Sequence, residues 1–297
     1  MKYSRFLHRA ICELRESGSS TPELDARLIL EETTRYDDTY MLTHPDFPIT
    51  NSQLTHANKL LSRRLKGEPI AYLTGHKEFY GLDFYVNKNV LVPRPESEWL
   101  VGESISYVVS RIKKKSTEIR NTKYAILDVG TGSGCIIISV AKTLYSKYCI
   151  QNLKYYATDI SKKTLYVAKK NEKHHDIQPL IRFYHSDLFS NSRLPKKFDI
   201  IIANLPYVPL DTRYSIPDTL KFEPKNAIFA QDNGTAIIKR FLAEAKHHLE
   251  PDGIILIELD PRNASVLLDF AKHQYPKSKI ELSKDLAGFD RYISIST

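Results

Sequence analysis

Apolar residues recur at Phe6, Ala10, Ile11 and Leu14, the three-and-four spacing of a helix with one buried side. The segment PELDARLILEE predicts a second helix. Pro22 opens it, acidic residues fill its first turn, and Leu24, Leu28 and either Ile29 or Leu30 supply its apolar stripe. A third helix is expected from about Ser52 to Lys66, begun by an Asn/Ser cap and stopped by Gly67 with Pro69 beyond. Residues 1–75 therefore read as a small helical domain.

The period then changes. FYGLDFYVNKNVLV, from Phe79 to Val92, is rich in aromatic and β-branched residues, with turn signals at Gly81 and Asn87–Asn89, so residues 76–95 read as a hairpin connector. A helix from about Glu96 to Ile112 follows, leading into the basic stretch RIKKKSTEIRNTK, a solvated helix end and loop to which no function is assigned. From Tyr124 the pattern alternates. Strands are expected at YAILDV, LKYYATD, LIRFYH, FDIIIAN, GIILIEL, SKIELS and DRYISIS, with helices at 134–146, 162–174, 235–249 and 263–274. Such alternation implies an α/β domain over residues 96–297 built on a mostly parallel, doubly wound seven-stranded sheet. The last two strands follow each other closely, which predicts that the final one is an antiparallel edge. Ligands of such sheets bind beyond the carboxyl ends of the strands.

Composition narrows this picture. Of 297 residues 42% are hydrophobic and 26% charged, the balance of a globular protein able to build a sizeable core. Three cysteines, Cys12, Cys135 and Cys149, are too few and too scattered for a disulfide framework or a zinc site, so no metal is expected and a reducing cytoplasm is the natural compartment. The first residues carry charge throughout and form no signal peptide, and no apolar run is long enough to span a membrane. The net charge of +8 is compatible with nucleic acid or a nucleic-acid-bound partner, and equally with a solvated basic surface.

The first strand of the α/β part ends in Asp128-Val129-Gly130-Thr131-Gly132-Ser133-Gly134. Glycines at alternate positions let the backbone turn sharply and let a ligand approach its N–H groups. A dinucleotide fingerprint would need glycine at Cys135, and a phosphate-binding loop would need a Gly-Lys-Ser/Thr run, which is absent. What remains resembles the first motif of the S-adenosylmethionine-dependent methyltransferases. Gly130, Thr131, Gly132, Ser133 and Gly134 would hold the amino-acid end of that cofactor. Asp159, ending the second strand, would accept from both ribose hydroxyls. Asp187, after the third strand, would receive the adenine amino group, and Leu188 would cover the adenine face. Taken singly, each is also a plausible turn or helix cap. Cys135 reads as a buried helix residue, with nothing basic beside it to make a thiolate. His174 and His175 read as surface residues at a helix end.

The fourth strand runs into Asn204-Leu205-Pro206-Tyr207. The lone pair of an amide or aromatic amine nitrogen is delocalised, so its methylation calls for acceptors on both N–H groups to hold and polarise it. The Asn204 side-chain oxygen is one acceptor and the Leu205 carbonyl the other. Pro206 stiffens the turn, and Tyr207 offers a flat face to a planar group. No acid or base is needed, which predicts a rate nearly flat around neutral pH.

Together these motifs resemble the release factor glutamine methyltransferase family, HemK/PrmC, across nearly the whole chain. DARLILEE resembles its N-terminal domain, and GEPIAYLTGHKEFYGLDFYVNKNVLVPRPESEWLV its connector. DVGTGSG, ATDIS, HSDLF, KFEP and DLAGFDR follow in the family's order. The resemblance implies a Rossmann-like methyltransferase domain behind a helical substrate-docking domain. It also implies S-adenosylmethionine as cofactor, and the glutamine of the Gly-Gly-Gln loop of peptide-chain release factors as substrate. Two positions depart from the pattern. Leu205 stands where the family has the first proline of Asn-Pro-Pro-Tyr, and Glu258-Leu259-Asp260-Pro261-Arg262-Asn263 replaces Glu-x-Gly-x-x-Gln. Three other readings stay open. Asn-Leu-Pro-Tyr also resembles the ribosomal RNA adenine dimethyltransferases, whose added helices would follow the catalytic domain rather than precede it. A ribosomal protein is a second glutamine-bearing substrate. A non-catalytic adaptor is the third, against which the intact glycine loop and Asn204 argue. Direct nucleic-acid binding is compatible with the charge but not expected.

Overall fold

Successive residues of a strand face opposite sides of a sheet, and here both sides are apolar. Ile126, Tyr155, Ile200, Ile202, Ile254 and Leu256 point into one core; Leu127, Tyr156, Ile201, Ala203, Ile255 and Ile257 point into another. Strands buried on both faces need helices on both faces. The computed structural model describes residues 1–114, 124–150, 152–177, 180–214 and 217–297. The chain forms two compact units, Met1–His76 with Ile216–Phe222, and Lys77–Ser215 with Glu223–Thr297.

The first unit is helical: α1 (Tyr3–Glu16), α2 (Pro22–Thr34), α3 (Asp38–Thr43), α4 (Asn51–Arg64) and α5 (Ile70–Thr74). Its core gathers Phe6, Ala10 and Leu14 of α1, Ala26, Ile29 and Leu30 of α2, and Ala57, Leu60 and Leu61 of α4. The expected apolar stripe of α2 is misplaced, because Leu24 is 47% exposed while Asp25 is 1% exposed. Asp25 tolerates burial because it accepts from Ser19 Oγ (2.8 Å), Thr21 Oγ1 (3.2 Å) and Arg64 Nε (2.8 Å). The cap of α4 also differs from expectation. Thr50, not Asn51 or Ser52, accepts at Oγ1 from Gln53 N, and its own backbone N donates back to Gln53 Oε1, completing a capping box.

In the second unit β1 (His76–Phe79) and β2 (Leu82–Tyr85) form the expected hairpin, and α6 (Glu98–Lys114) follows a short 3-10 turn at Pro95–Ser97. The basic stretch beyond Lys114 lies outside the described residues up to Tyr124. Then come β3 (Ala125–Val129), α7 (Cys135–Ser146), β4 (Lys154–Asp159), α8 (Lys162–His174), β5 (Ile181–His185), β6 (Phe198–Asn204), β7 (Val208–Pro209), α9 (Lys225–Ile228), β8 (Phe229–Ala230), α10 (Ala236–Ala245), β9 (Leu249–Glu258), α11 (Ala264–Gln274), β10 (Lys279–Lys284) and β11 (Asp290–Ser296).

The seven-stranded sheet has the order β10-β11-β9-β6-β3-β4-β5. Pairing is parallel from β9 through β5 and antiparallel between β9 and β11 and between β11 and β10. The final strand is thus antiparallel as expected but is not an edge. It inserts between β9 and β10, and β10 is the edge. The reason lies in its side chains: Tyr292, Ile293 and Ile295 are buried, whereas no residue of β10 is. The helix expected at 235–249 ends earlier, at Ala245, since Leu249 already pairs with Phe198 in the sheet. Helices α6 and α7 cover one face, and α10 and α11 the other.

Candidate active site

Strands β3, β4, β5, β6 and β9 deliver their carboxyl ends to one side of the sheet, and a cavity opens there. Gly130, Thr131, Gly132, Ser133, Asp159, Asp187, Leu188, Asn204, Leu205 and Pro206 line it. Residues more than seventy positions apart in sequence are thus brought together by strand order alone. Gly134 and Tyr207 do not line the cavity. Gly134 starts α7, where a Cβ would meet Ile138 Cδ1 at 2.9 Å and Ala168 Cβ at 3.2 Å, so this glycine brings α7 and α8 together.

The glycine loop is tied to β4. Gly130 N and Thr131 N both donate to Thr158 O at 2.9 Å, and Gly132 N donates to Asp159 Oδ2 at 3.1 Å. Asp159 Oδ1 accepts from Ser161 N at 2.8 Å. Gly132 has φ 58°, and a Cβ there would meet nothing within 4 Å, so the backbone presents open space to an incoming group. Burial pushes the Asp159 carboxyl up to about 6 despite its two backbone donors. Burial likewise pushes Asp128 up to about 7, against the opposing Thr131 hydroxyl donor at 2.7 Å. Asp128 Oδ1 and Ser133 Oγ are buried and find no protein partner. The unpartnered Ser133 hydroxyl of the cavity wall, the open backbone and a carboxylate on the next strand fit a ligand with an amino-acid end and a ribose.

Leu188 is buried with φ 47°, a left-handed conformation that costs a side-chain-bearing residue about 1–3 kcal/mol and is found at ligand clamps. Asp187, beside it, is exposed and paired with Arg240 of α10. Cys135 is buried and its thiol is pushed up to about 12, so it stays protonated. His174 is exposed, but His175 is buried against Phe84, at 4.9 Å between rings, and is not the surface residue expected.

Asn204 ends β6 directly opposite Glu258, the last residue of β9. Its Nδ2 donates to Ser97 Oγ at 2.7 Å and to Glu258 Oε2 at 3.0 Å. Ser97 Oγ donates to the same Glu258 oxygen at 2.6 Å, and Tyr207 OH donates to Glu258 Oε1 at 3.1 Å. With its amide nitrogen turned to Ser97 and Glu258, Asn204 has its oxygen left to offer. Sequence reasoning did not assign a role to Ser97 or Glu258. A carboxylate directly after the apolar run Gly253–Ile257, at the end of β9, is the signal that marks Glu258. The near wall of the cavity comes from the connector, through Asn89, Val90, Leu91, Pro93 and Arg94. It is held by Glu223, which accepts from Val92 N at 2.8 Å and pairs with Arg94.

The family model described as the PrmC N-terminal domain matches residues 5–75, and one described as a methyltransferase domain matches residues 120–283. A release factor glutamine methyltransferase of Rhodopirellula baltica is 34% identical over 282 residues, which span 95% of this chain and 91% of that protein. The chain belongs to the release factor glutamine methyltransferase family. A bifunctional methyltransferase of Rickettsia typhi is 36% identical over all of this chain, which spans only 58% of that longer protein. Among solved structures, the hMettl16 catalytic domain in complex with MAT2A 3'UTR hairpin 1 shares the fold, with a TM-score of 0.53, 14% identity and 90% of each chain covered. The seven-stranded α/β unit is accordingly the family's methyltransferase domain. Among the described residues no helix is long and apolar enough to cross a membrane, and no group of three or more His, Cys, Asp or Glu side chains is placed to hold a metal.

Proposed function

We propose that this chain transfers a methyl group from S-adenosylmethionine to the side-chain amide nitrogen of a glutamine, the one in the Gly-Gly-Gln motif of peptide-chain release factors. Residues 1–75 serve as the docking domain for that protein, 76–95 as the connector, and 96–297 as the transferring domain. When bound, the cofactor supplies a methyl group on a positively charged sulfur. The Gly130–Gly134 loop takes its amino-acid end, Asp159 the ribose hydroxyls, and Asp187 and Leu188 the adenine. Asn204 Oδ1 and the Leu205 carbonyl accept the two N–H groups of the substrate amide and hold its nitrogen toward the methyl. Pro206 limits the freedom of that turn, and Tyr207, outside the cavity lining, steadies it through its hydroxyl on Glu258.

The observation that carries this reading is the amide of Asn204, which lines the cavity and turns its nitrogen to Ser97 and Glu258, leaving its oxygen as an acceptor. Family membership supports the choice of glutamine over a base. The test incubates the protein with labelled S-adenosylmethionine and, in separate reactions, a release factor, a ribosomal protein preparation and ribosomal RNA. Label is expected in the release factor and lost when its Gly-Gly-Gln glutamine is changed to alanine. Label in RNA alone would overturn the substrate assignment.

A further inference from the structure

Three donors converge on Glu258, a carboxylate 1% exposed, and the transfer chemistry itself makes no use of it. A buried carboxylate without a paired cation costs several kcal/mol. The nearby cation, Arg291, gives its Nε to Asp285 at 2.6 Å instead. Ser97 is also fixed in place. Tyr292 OH donates to the neighbouring Glu96 O at 2.7 Å, and Trp99 stacks on Tyr292 at 4.2 Å. The fold therefore maintains an expensive group at a defined position.

A side-chain amide has two ends of nearly equal shape, and its partner's polarity decides which end faces which way. An ionised carboxylate only accepts, so it must receive Nδ2 and leave the oxygen at the other end. A protonated one can donate, and the amide is then free to reverse, presenting hydrogens where hydrogens must be received. We propose that Glu258 is a positioning residue: as a carboxylate it sets the polarity of the Asn204 amide and tethers Tyr207, so the site receives an NH₂ group only while Glu258 is ionised. This rests on the reading of Asn204 as the substrate's acceptor.

Burial raises the Glu258 carboxyl, opposed by the Ser97 and Tyr207 hydrogen bonds and the Arg291 charge, and reinforced by Glu96. The ionisable groups around it are Glu96 from the Pro95–Ser97 turn, Tyr207 after β6, Asp260 after β9, and Arg291 and Tyr292 from β11. The rate should therefore fall on acidification, not stay flat as the Asn-Leu-Pro-Tyr motif alone implies.

The first half of the test needs no substrate. In ¹⁵N-labelled protein the Asn204 side-chain NH₂ resonances, assigned by their loss in Asn204→Asp, are followed from neutral to mildly acidic pH. They are expected to shift as Glu258 takes up its proton, and to stay still in Glu258→Gln. In the second half, kcat toward the release factor is expected to drop about 10- to 100-fold in Glu258→Gln, as for a displaced positioning contact. Cofactor affinity should hold, and the acid limb of the wild-type kcat profile should vanish. If the resonances titrate with Glu258 but no release factor is methylated, the substrate assignment falls and the positioning role stands. Resonances indifferent to pH and to Glu258→Gln, or a Glu258→Gln enzyme with wild-type kcat and pH profile, overturn the role. Ser97→Ala keeps the carboxylate and serves if Glu258→Gln does not fold. It should lower kcat while keeping the acid limb, and unchanged kcat with unmoved resonances would count against the proposal.

Discussion

Gly130 and Leu205 are built against each other, so closely that a Cβ on Gly130 would lie 2.9 Å from Leu205 Cδ2. The contact joins the loop proposed to hold the cofactor to the turn proposed to hold the substrate. It also gives a physical role to leucine where the family pattern has proline, because Leu205 is buried and fills the space above Gly130. At φ 75° an alanine would cost about 1–2 kcal/mol from backbone alone. Gly130→Ala is expected to weaken S-adenosylmethionine binding at least about tenfold, measured by calorimetry. Adding Leu205→Ala should restore only the part due to contact.

Cofactor affinity should depend on pH through Asp159. Its carboxyl lies near 6 in the folded protein, above its ordinary value, so it is ionised and accepting at neutral pH and protonated below that point. Affinity is therefore close to full from about pH 7 upward and declines as pH falls through about 6. Calorimetric titrations across that range check this, and Asp159→Asn should remove most of the dependence.

Asn204→Ala should cost at least about 10²-fold in kcat, the scale seen when a preorganised polar contact to the reacting group is lost. Cofactor affinity, measured on the same protein, should change only a few-fold. Unchanged turnover would remove Asn204 from the mechanism.

In the helical unit, Asp25→Ala should destabilise by about 3–5 kcal/mol, because it strands Arg64, itself largely buried, without its counter-charge. The exposed Lys2–Asp46 pair is the control, and Asp46→Ala should leave the denaturation midpoint where it was. Chemical denaturation of both variants decides.

The glycine loop, Asp159, Asp187 and Asn204 were legible because each lies at the end of a recognisable strand, and strand ends of a parallel sheet converge. Ser97 and Glu258 were not, since nothing in local pattern says that β9 lies beside β6 or that the Pro95–Ser97 turn closes against both. The side of α2 was misread for a related reason. Asp25 is buried by partners at Ser19 and Arg64, and periodicity counts only apolar residues. The position of β11 escaped because closeness in sequence to β10 does not reveal which of the two meets β9.

That position has a consequence for assembly. Because β11 bridges β9 to β10, the outer strand cannot dock until residues 290–296 have been synthesised and have threaded into the gap. Arg291 and Tyr292, which flank Glu258, arrive with them. A nascent chain halted before this point lacks the buried Tyr292, Ile293 and Ile295 beside β9, and with them two of the groups that surround Glu258.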